Sequence, residues 1–588
     1  MKKQILIALA FLVNFAFPAL AYDFQAGNLL YTIIGTDPPE VSVYRHIDGT
    51  MAQGQLVIPE TVEHEGVIYD VTIIGKNAFN GCELLSGNIV IPNSVREILA
   101  GAFYNCKGFS GDLVIPNSVL RINIDSSPDN TVPGAFENCT GFDGRLVLSN
   151  SLEIIGDAQG GGCFSGCCNL IGELELPYSI KYIGKSAFCG CGGFTGVLAI
   201  PESVDEISHN AFSSCLGIEN VIFPNTPFQM GDQLFAGCTG LTDIYLPEGW
   251  FSTGAYTFTY CTGLKSVLLP ESMVEIERGA FSNCHNLLSI NFPDALRMIG
   301  NNAFGYCSKL INICLPDSLE VVSISAFSHC DSLYGRIVIP DKVEELPWFA
   351  FSSCTGITKF VLGKSIQYIS ECAFEDTTID TIMLRAIVPP ELDRRGVWHF
   401  PEDVSIIVPC GTLEAYQNAE GWSDFTNIQE GNTYIVSVSS ENEALGETWI
   451  SKEAICEDMS VEVEAIPNEG CSFLYWEADG EQVLAENPYS FILERDTRLV
   501  AHFSGTGVAE RGSVCVIYPN PARNQLRLQY SPDVQPKLVE LYDLQGRLVR
   551  TQRKSFETLN LQGLATGQYV MKVAMEDGKT FTDKVVKE

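Results

Sequence analysis

Thirteen times between residues 75 and 376 the chain returns to a phenylalanine, usually preceded by a small residue, and twelve of the thirteen are followed three residues later by a cysteine. The phenylalanines are Phe79, Phe103, Phe136, Phe164, Phe188, Phe212, Phe235, Phe258, Phe281, Phe304, Phe327, Phe351 and Phe374, and most intervals are 23 or 24 residues. A short period of this kind belongs to solenoids, in which one unit cannot bury its own apolar face and must stack on its neighbours. The architecture expected is mainly β: a solenoid of about 13 coils followed by two small β-rich domains.

Each unit carries a second signature after the cysteine: apolar, variable, apolar, proline, as in Val267-Leu268-Leu269-Pro270 and Ile337-Val338-Ile339-Pro340. Proline offers no backbone N–H, so this short strand must stop there. A second apolar pair follows, such as Val274 and Ile276, before the chain turns at the next phenylalanine. Units of 24 residues carry an extra glycine before the strand (Gly87, Gly111, Gly196, Gly335), which reads as a bulge.

These features resemble the BspA-like class of bacterial leucine-rich repeats, with its Ile-Pro, Ile-Gly and Ala-Phe-x-x-Cys pattern, over about residues 57–428. Residues 22–56 then form an N-terminal cap, 57–383 the repeats and 384–430 a closing segment, in which Ile407-Val408-Pro409 followed by Leu413, Tyr416 and Trp422 reads as a strand and a short helix.

The ladder cysteines are Cys82, Cys106, Cys139, Cys167, Cys191, Cys215, Cys238, Cys261, Cys284, Cys307, Cys330 and Cys354. In stacked coils they lie about 4.8 Å apart with parallel side chains, whereas a disulfide needs Cβ atoms about 3.8 Å apart and facing. They are expected to be buried free thiols. One cysteine per coil also lacks the clustering of a metal site. Near the local excess Cys163, Cys167, Cys168, Cys189 and Cys191, Cys189 could pair with Cys163 or Cys168; Cys314 stands apart as an exposed thiol.

Because strand side chains alternate, the middle residue of each strand should point outward: Val90, Val114, Val147, Glu175, Ala199, Ile222, Tyr245, Leu268, Asn291, Cys314, Val338 and Val361. The row is mostly apolar. It is either ordinary β-branched strand composition or a strip that meets a partner. The two longest units owe their length to insertions at residues 125–133 and 157–162, which emerge on one edge and carry Asp125, Asp129, Asp157 and Gln159. Such loops either bind, with calcium or sugar hydroxyls as targets, or have drifted.

The chain opens with Lys2 and Lys3, an apolar run and Ala19-Leu20-Ala21, a secretory signal peptide over residues 1–21. No later apolar stretch reaches the roughly 18 residues of a membrane span. Residues 431–504 alternate in short runs (Tyr434-Ile435-Val436, Val461-Glu462-Val463) and resemble the β module of internalin B-repeats, a spacer or minor adhesion module. Residues 507–588 carry Tyr518-Pro519-Asn520-Pro521, Leu541-Tyr542-Asp543-Leu544-Gln545-Gly546 and Gly567-Gln568-Tyr569-Val570. They resemble the C-terminal sorting β-sandwich of type IX secretion in Bacteroidota, which implies export and surface attachment, with the secretion machinery as a partner.

A net charge of −36 opposes nucleic-acid binding. The histidines His46, His64, His209, His285, His329, His399 and His502 occupy non-equivalent positions, and no His-Glu-x-x-His or Gly-x-Ser-x-Gly occurs. No catalytic, cofactor or metal residue is assigned. The function expected is that of a non-catalytic surface binding protein, an adhesin-like solenoid about 60 Å long engaging host matrix protein, glycan or other bacteria. The alternatives are a self-assembling surface protein and a polysaccharide-capture protein, the latter poorly served by aromatics as sparse as Tyr245.

Overall fold

A computed structural model describes residues 22–124, 133–156, 160–393 and 404–587, apart from short gaps within the last two spans. Two compact units result, Met1–Thr433 and Tyr434–Glu588. The first is the solenoid. Its core runs unbroken from Phe24 to Trp422.

The strands that follow each cysteine, such as Leu113–Val114, Asp243–Tyr245 and Ser266–Leu268, pair in parallel with their counterparts one coil on. On a second face, two-residue strands such as Ile154–Ile155 and Tyr182–Ile183 extend a parallel sheet. It is started by an antiparallel N-terminal hairpin, Leu29–Thr36 with Pro39–His46. The bulge glycines adopt positive φ, and the register slips by one residue after Gly196 and after Gly335.

The corner holds the coils together. Twelve phenylalanine rings from Phe79 to Phe351 stack in one column, with successive centroids 5.0 to 5.8 Å apart. Such contacts add about 0.5–1.5 kcal/mol each beyond burial. The residue two after every phenylalanine has left-handed backbone: Gly81, Asn105, Asn138, Gly166, Gly190, Ser214, Gly237, Tyr260, Asn283, Tyr306, His329, Ser353 and Asp376. Most residues two before it do likewise, including Tyr256, Asn302 and Phe349. For a bulky residue this costs about 1 kcal/mol or more. The cost is offset because the left-handed residues turn N–H groups along the solenoid axis. Asn302, Phe304 and Tyr306 donate to the carbonyls of Ile324, Ala326 and Ser328 one coil on, and the same triplet recurs at Ser325, Phe327 and His329.

Beyond the last coil the strand Ser405–Pro409 and the helix Leu413–Asn418 close the solenoid. Tyr416 Oη donates to the Ala386 carbonyl at 2.7 Å and Trp422 Nε1 to that of Pro390 at 2.8 Å. In the second unit, two small cores are separate. One gathers Val461, Val463, Trp476, Leu499 and Ala501 between a four-stranded and a three-stranded sheet. The other gathers Leu526, Val539, Leu541, Met571 and Val585. No described helix is long and apolar enough to cross a membrane.

Close coil stacking fixes glycine two residues after many ladder cysteines. A Cβ on Gly263 would lie 2.2 Å from the Thr239 carbonyl oxygen, whereas a Cβ on Gly192 meets only Leu216 at 3.5 Å. Gly263→Ala is therefore expected to cost about 1–3 kcal/mol, and Gly192→Ala to be close to neutral, in urea denaturation followed by circular dichroism.

Candidate functional site

All twelve ladder cysteines are buried free thiols. From Cys106 onward each Sγ–H donates to the carbonyl of the phenylalanine one coil earlier, at 3.0 to 3.2 Å. Cys82, at the first coil, donates to Gly49. The Phe281 carbonyl shows why this works. One lone pair takes the N–H of Cys284 in its own coil and the other takes the thiol of Cys307. The thirteenth coil ends the ladder with Thr377, whose hydroxyl returns to the Phe374 carbonyl.

Burial, the dominant cause, pushes these thiols far up; Cys307 reaches about 12. They are not nucleophiles. Cys284 and His285 are adjacent in sequence yet do not form a pair: Cys284 bonds inward to Phe258, while the exposed His285 ring meets the Tyr306 carbonyl at 3.0 Å. Among the described residues no three His, Cys, Asp or Glu side chains are placed to hold a metal.

The pairing of Cys189 with Cys163 or Cys168 does not form, and all three are free. Cys163 takes the place of the alanine before the corner phenylalanine and is fully buried. Cys168 follows ladder Cys167 and faces solvent, and half-buried Cys189 follows Phe188. Alternation along the chain has aimed the three thiols in different directions.

The outward row is realised unevenly. Val90 (63 % exposed), Val114 (46 %), Val147 (45 %), Tyr245 and Leu268 stand clear of the surface, as do Glu175, Ala199 and Cys314. Ile222, Asn291 and Val338 are half-buried. The Asn291 amide is turned back onto Leu269, accepting from its N–H and donating to its carbonyl. Val361 departs from the expectation: it is fully buried. It lies in register with buried Met383, and the Arg385 guanidinium reaches from the following coil back to Asp341, spanning the coil that carries Val361. The row is thus open at its N-terminal end and closed at its C-terminal end. Asp125, Asp129, Asp157 and Gln159 lie outside the described residues.

Two features escaped the sequence reading. Val57, 72 % exposed, bridges Val90 and extends the row by one coil. A groove runs over Val90, Val114, Val147 and Glu175, with Asn93, Asn117, Asn150 and the 90 %-exposed Tyr178 on one rim. The rim residues follow the strand-ending proline, or the serine in its place, so proline spacing could have found them. Near Tyr245, burial first and the Glu248 carboxylate second push the phenol up.

Comparison with known proteins fits this geometry. The description "BspA type Leucine rich repeat region" matches residues 66–159, 111–242, 159–288 and 274–388. The chain belongs to the BspA-type leucine-rich repeat family. A second description, "Secretion system C-terminal sorting domain", matches residues 516–588. A leucine-rich repeat protein from Bacteroides ovatus is 25 % identical with a TM-score of 0.50, covering 66 % of this chain and 100 % of its own. A leucine-rich cell surface protein from Faecalibacterium prausnitzii is 18 % identical (TM-score 0.30; 69 % of this chain, 94 % of that one). The pneumococcal vaccine antigen PcpA is 17 % identical (TM-score 0.37; 70 % and 98 %). No curated protein matches. A BspA-type solenoid carrying a sorting domain is an exported protein of the cell surface or medium, and the secretion machinery is its partner through residues 516–588.

Two outcomes follow. Up to about pH 8.5 the thiols stay protonated whether folded or unfolded. Above it, unfolded thiols ionise and buried ones do not, so stability should fall as pH rises, by about 1.4 kcal/mol per pH unit for each thiol exposed in the unfolding step. Urea midpoints between pH 7 and 10 should show this slope, flattened by Cys284→Ala, Cys307→Ala and Cys330→Ala together. Deleting residues 507–588 should leave the protein inside the outer membrane, as cell fractionation would show.

Proposed function

We propose that this protein is an adhesin-like surface receptor whose solenoid binds a host matrix protein, a glycan or another bacterial surface. The observation that carries this reading is the largely aliphatic row of solvent-facing side chains from Val57 to Leu268, interrupted by Glu175, Tyr245 and half-buried Ile222. Exposed valine and leucine in register over many coils leave apolar area in water, which a monomeric soluble surface normally keeps small. The scaffold beneath is built to hold that row still. From Phe79 to Phe351 each coil is tied to the next by corner hydrogen bonds and ring stacking, so a ligand meets a preorganised surface and little ordering entropy opposes binding.

Export supports the same reading. A repeat solenoid joined to a sorting domain is delivered where such a surface can meet partners outside the cell. Residues 431–504, in this proposal, act as a spacer between solenoid and sorting domain. The test is binding of the mature chain to an array of matrix proteins, glycans and bacterial cells. Val114→Asp combined with Val147→Asp should weaken the specific signal at least tenfold with the unfolding midpoint unchanged. Binding of equal strength in that variant would move the site elsewhere.

A further inference from the structure

Resting on that reading, we infer that the strip takes a basic polypeptide segment bearing aliphatic side chains, rather than a glycan or a second copy of this chain. The first argument is the chemistry of the strip. Its exposed members are chiefly valine and leucine, with Glu175, Ala199 and Tyr245 among them, so it offers mainly aliphatic contact with few ring faces. Sugars are held chiefly by aromatic stacking and dense polar contacts. Aliphatic side chains of a polypeptide pack on such a surface instead.

The second argument is charge. The position after each strand-ending proline runs beside the strip; it is uncharged from Asn93 to Tyr178, and from Glu202 onward, Asn225 apart, it is occupied by Glu202, Glu248, Glu271, Asp294, Asp317 and Asp341, all but the last of them exposed. Glu202 accepts hydrogen bonds from the backbone of Asn225 and Thr226 in the next coil, and the Asn225 bond is the main cause holding its carboxyl below the usual range. Glu248 likewise receives the N–H of Glu271 at 3.1 Å. Beside the central coils the position thus carries one carboxylate nearly every coil, with Glu202 and Glu248 held in place by the next coil's backbone. On a chain of net charge −36, it selects cationic partners and repels sulfated or acidic polysaccharides.

The third argument removes the second copy. Pairing two strips would bring two such acidic rows within about a Debye length, roughly 8 Å at physiological salt. The open strip from Val90 to Leu268 is also about 34 Å long at ~4.8 Å per coil and one residue wide. That is far below the roughly 800 Å² per partner of a stable interface. A linear segment escapes both limits, because lysine or arginine beside its aliphatic residues reaches the acidic row while the apolar side chains cover the strip.

Fluorescence anisotropy of the full mature chain with three ten-residue peptides, alternating valine with lysine, threonine or glutamate, tests this directly. The lysine peptide should bind at least tenfold tighter than the threonine peptide, and the glutamate peptide should not bind. Affinity for the lysine peptide should fall at least tenfold in Val114→Thr with Val147→Thr. In Glu271→Gln with Asp294→Asn it should fall and lose part of its salt dependence, with thermal unfolding unchanged in both variants. Equal binding of the lysine and threonine peptides, or insensitivity to the valine substitutions, would overturn the inference. So would a wild-type dimer in sedimentation velocity that the valine substitutions dissociate. Strip-dependent binding of neutral glycans without any binding of the lysine peptide would leave the receptor function standing and remove only this account of its partner.

Discussion

The rest of the molecule depends on the corner, where the backbone alternates between right- and left-handed conformations around a buried phenylalanine. Left-handed residues two before and two after the ring turn alternate N–H groups toward the next coil, so Asn302, Phe304 and Tyr306 all donate forward along the axis. The ring fills the corner, and its carbonyl is left with two lone pairs and no strand to feed them. The cysteine N–H of the same coil satisfies one and the thiol of the next coil the other. A thiol suits this place because it is a small apolar group with a weak donor: alanine would leave one of the carbonyl's lone pairs unfilled, and serine would bury a more polar oxygen on a shorter bond.

That geometry sets what the outer faces can do. With the coils locked at one strand spacing, each sequence position becomes a straight row along the solenoid. The valines of one row and, from Glu202 onward, the carboxylates of the next therefore line up although they lie far apart in sequence. Burial of Val361 against the strand of Met383 and the reach of Arg385 back to Asp341 close the row at its C-terminal end, which in the proposed function leaves recognition to the N-terminal and central coils. The absence of a reactive pair at Cys284 and His285 has the same origin, since corner packing sends the thiol inward and the imidazole outward.

Much of this was legible in the sequence. The Phe and Cys period, the proline that ends each strand and the bulge glycines are each residue types that only one local geometry favours, so Gly196 and Gly335 announce their slips in register. The left-handed column was not legible, because Gly81, Tyr306, His329 and Asp376 share a backbone conformation and no side-chain chemistry; context imposes it. Burial of Val361 was hidden for a different reason, since periodicity speaks only for coils with a like neighbour on both sides. The fates of Cys163, Cys168 and Cys189 turned on direction rather than spacing. The candidate site was legible as a row, and its rim of Asn117, Asn150 and Tyr178 was not, although proline marks it.

The central claim is that reduced, hydrogen-bonded thiols run through the core and hold the outer rows of the solenoid rigid. Raman spectroscopy of the native protein in the S–H stretching region, before and after transfer to D₂O, tests it most directly. The account predicts an intense S–H band displaced to lower frequency than that of a free thiol, persisting in D₂O until the protein is unfolded. A band at the free-thiol frequency, or one converted at once to S–D, would contradict it.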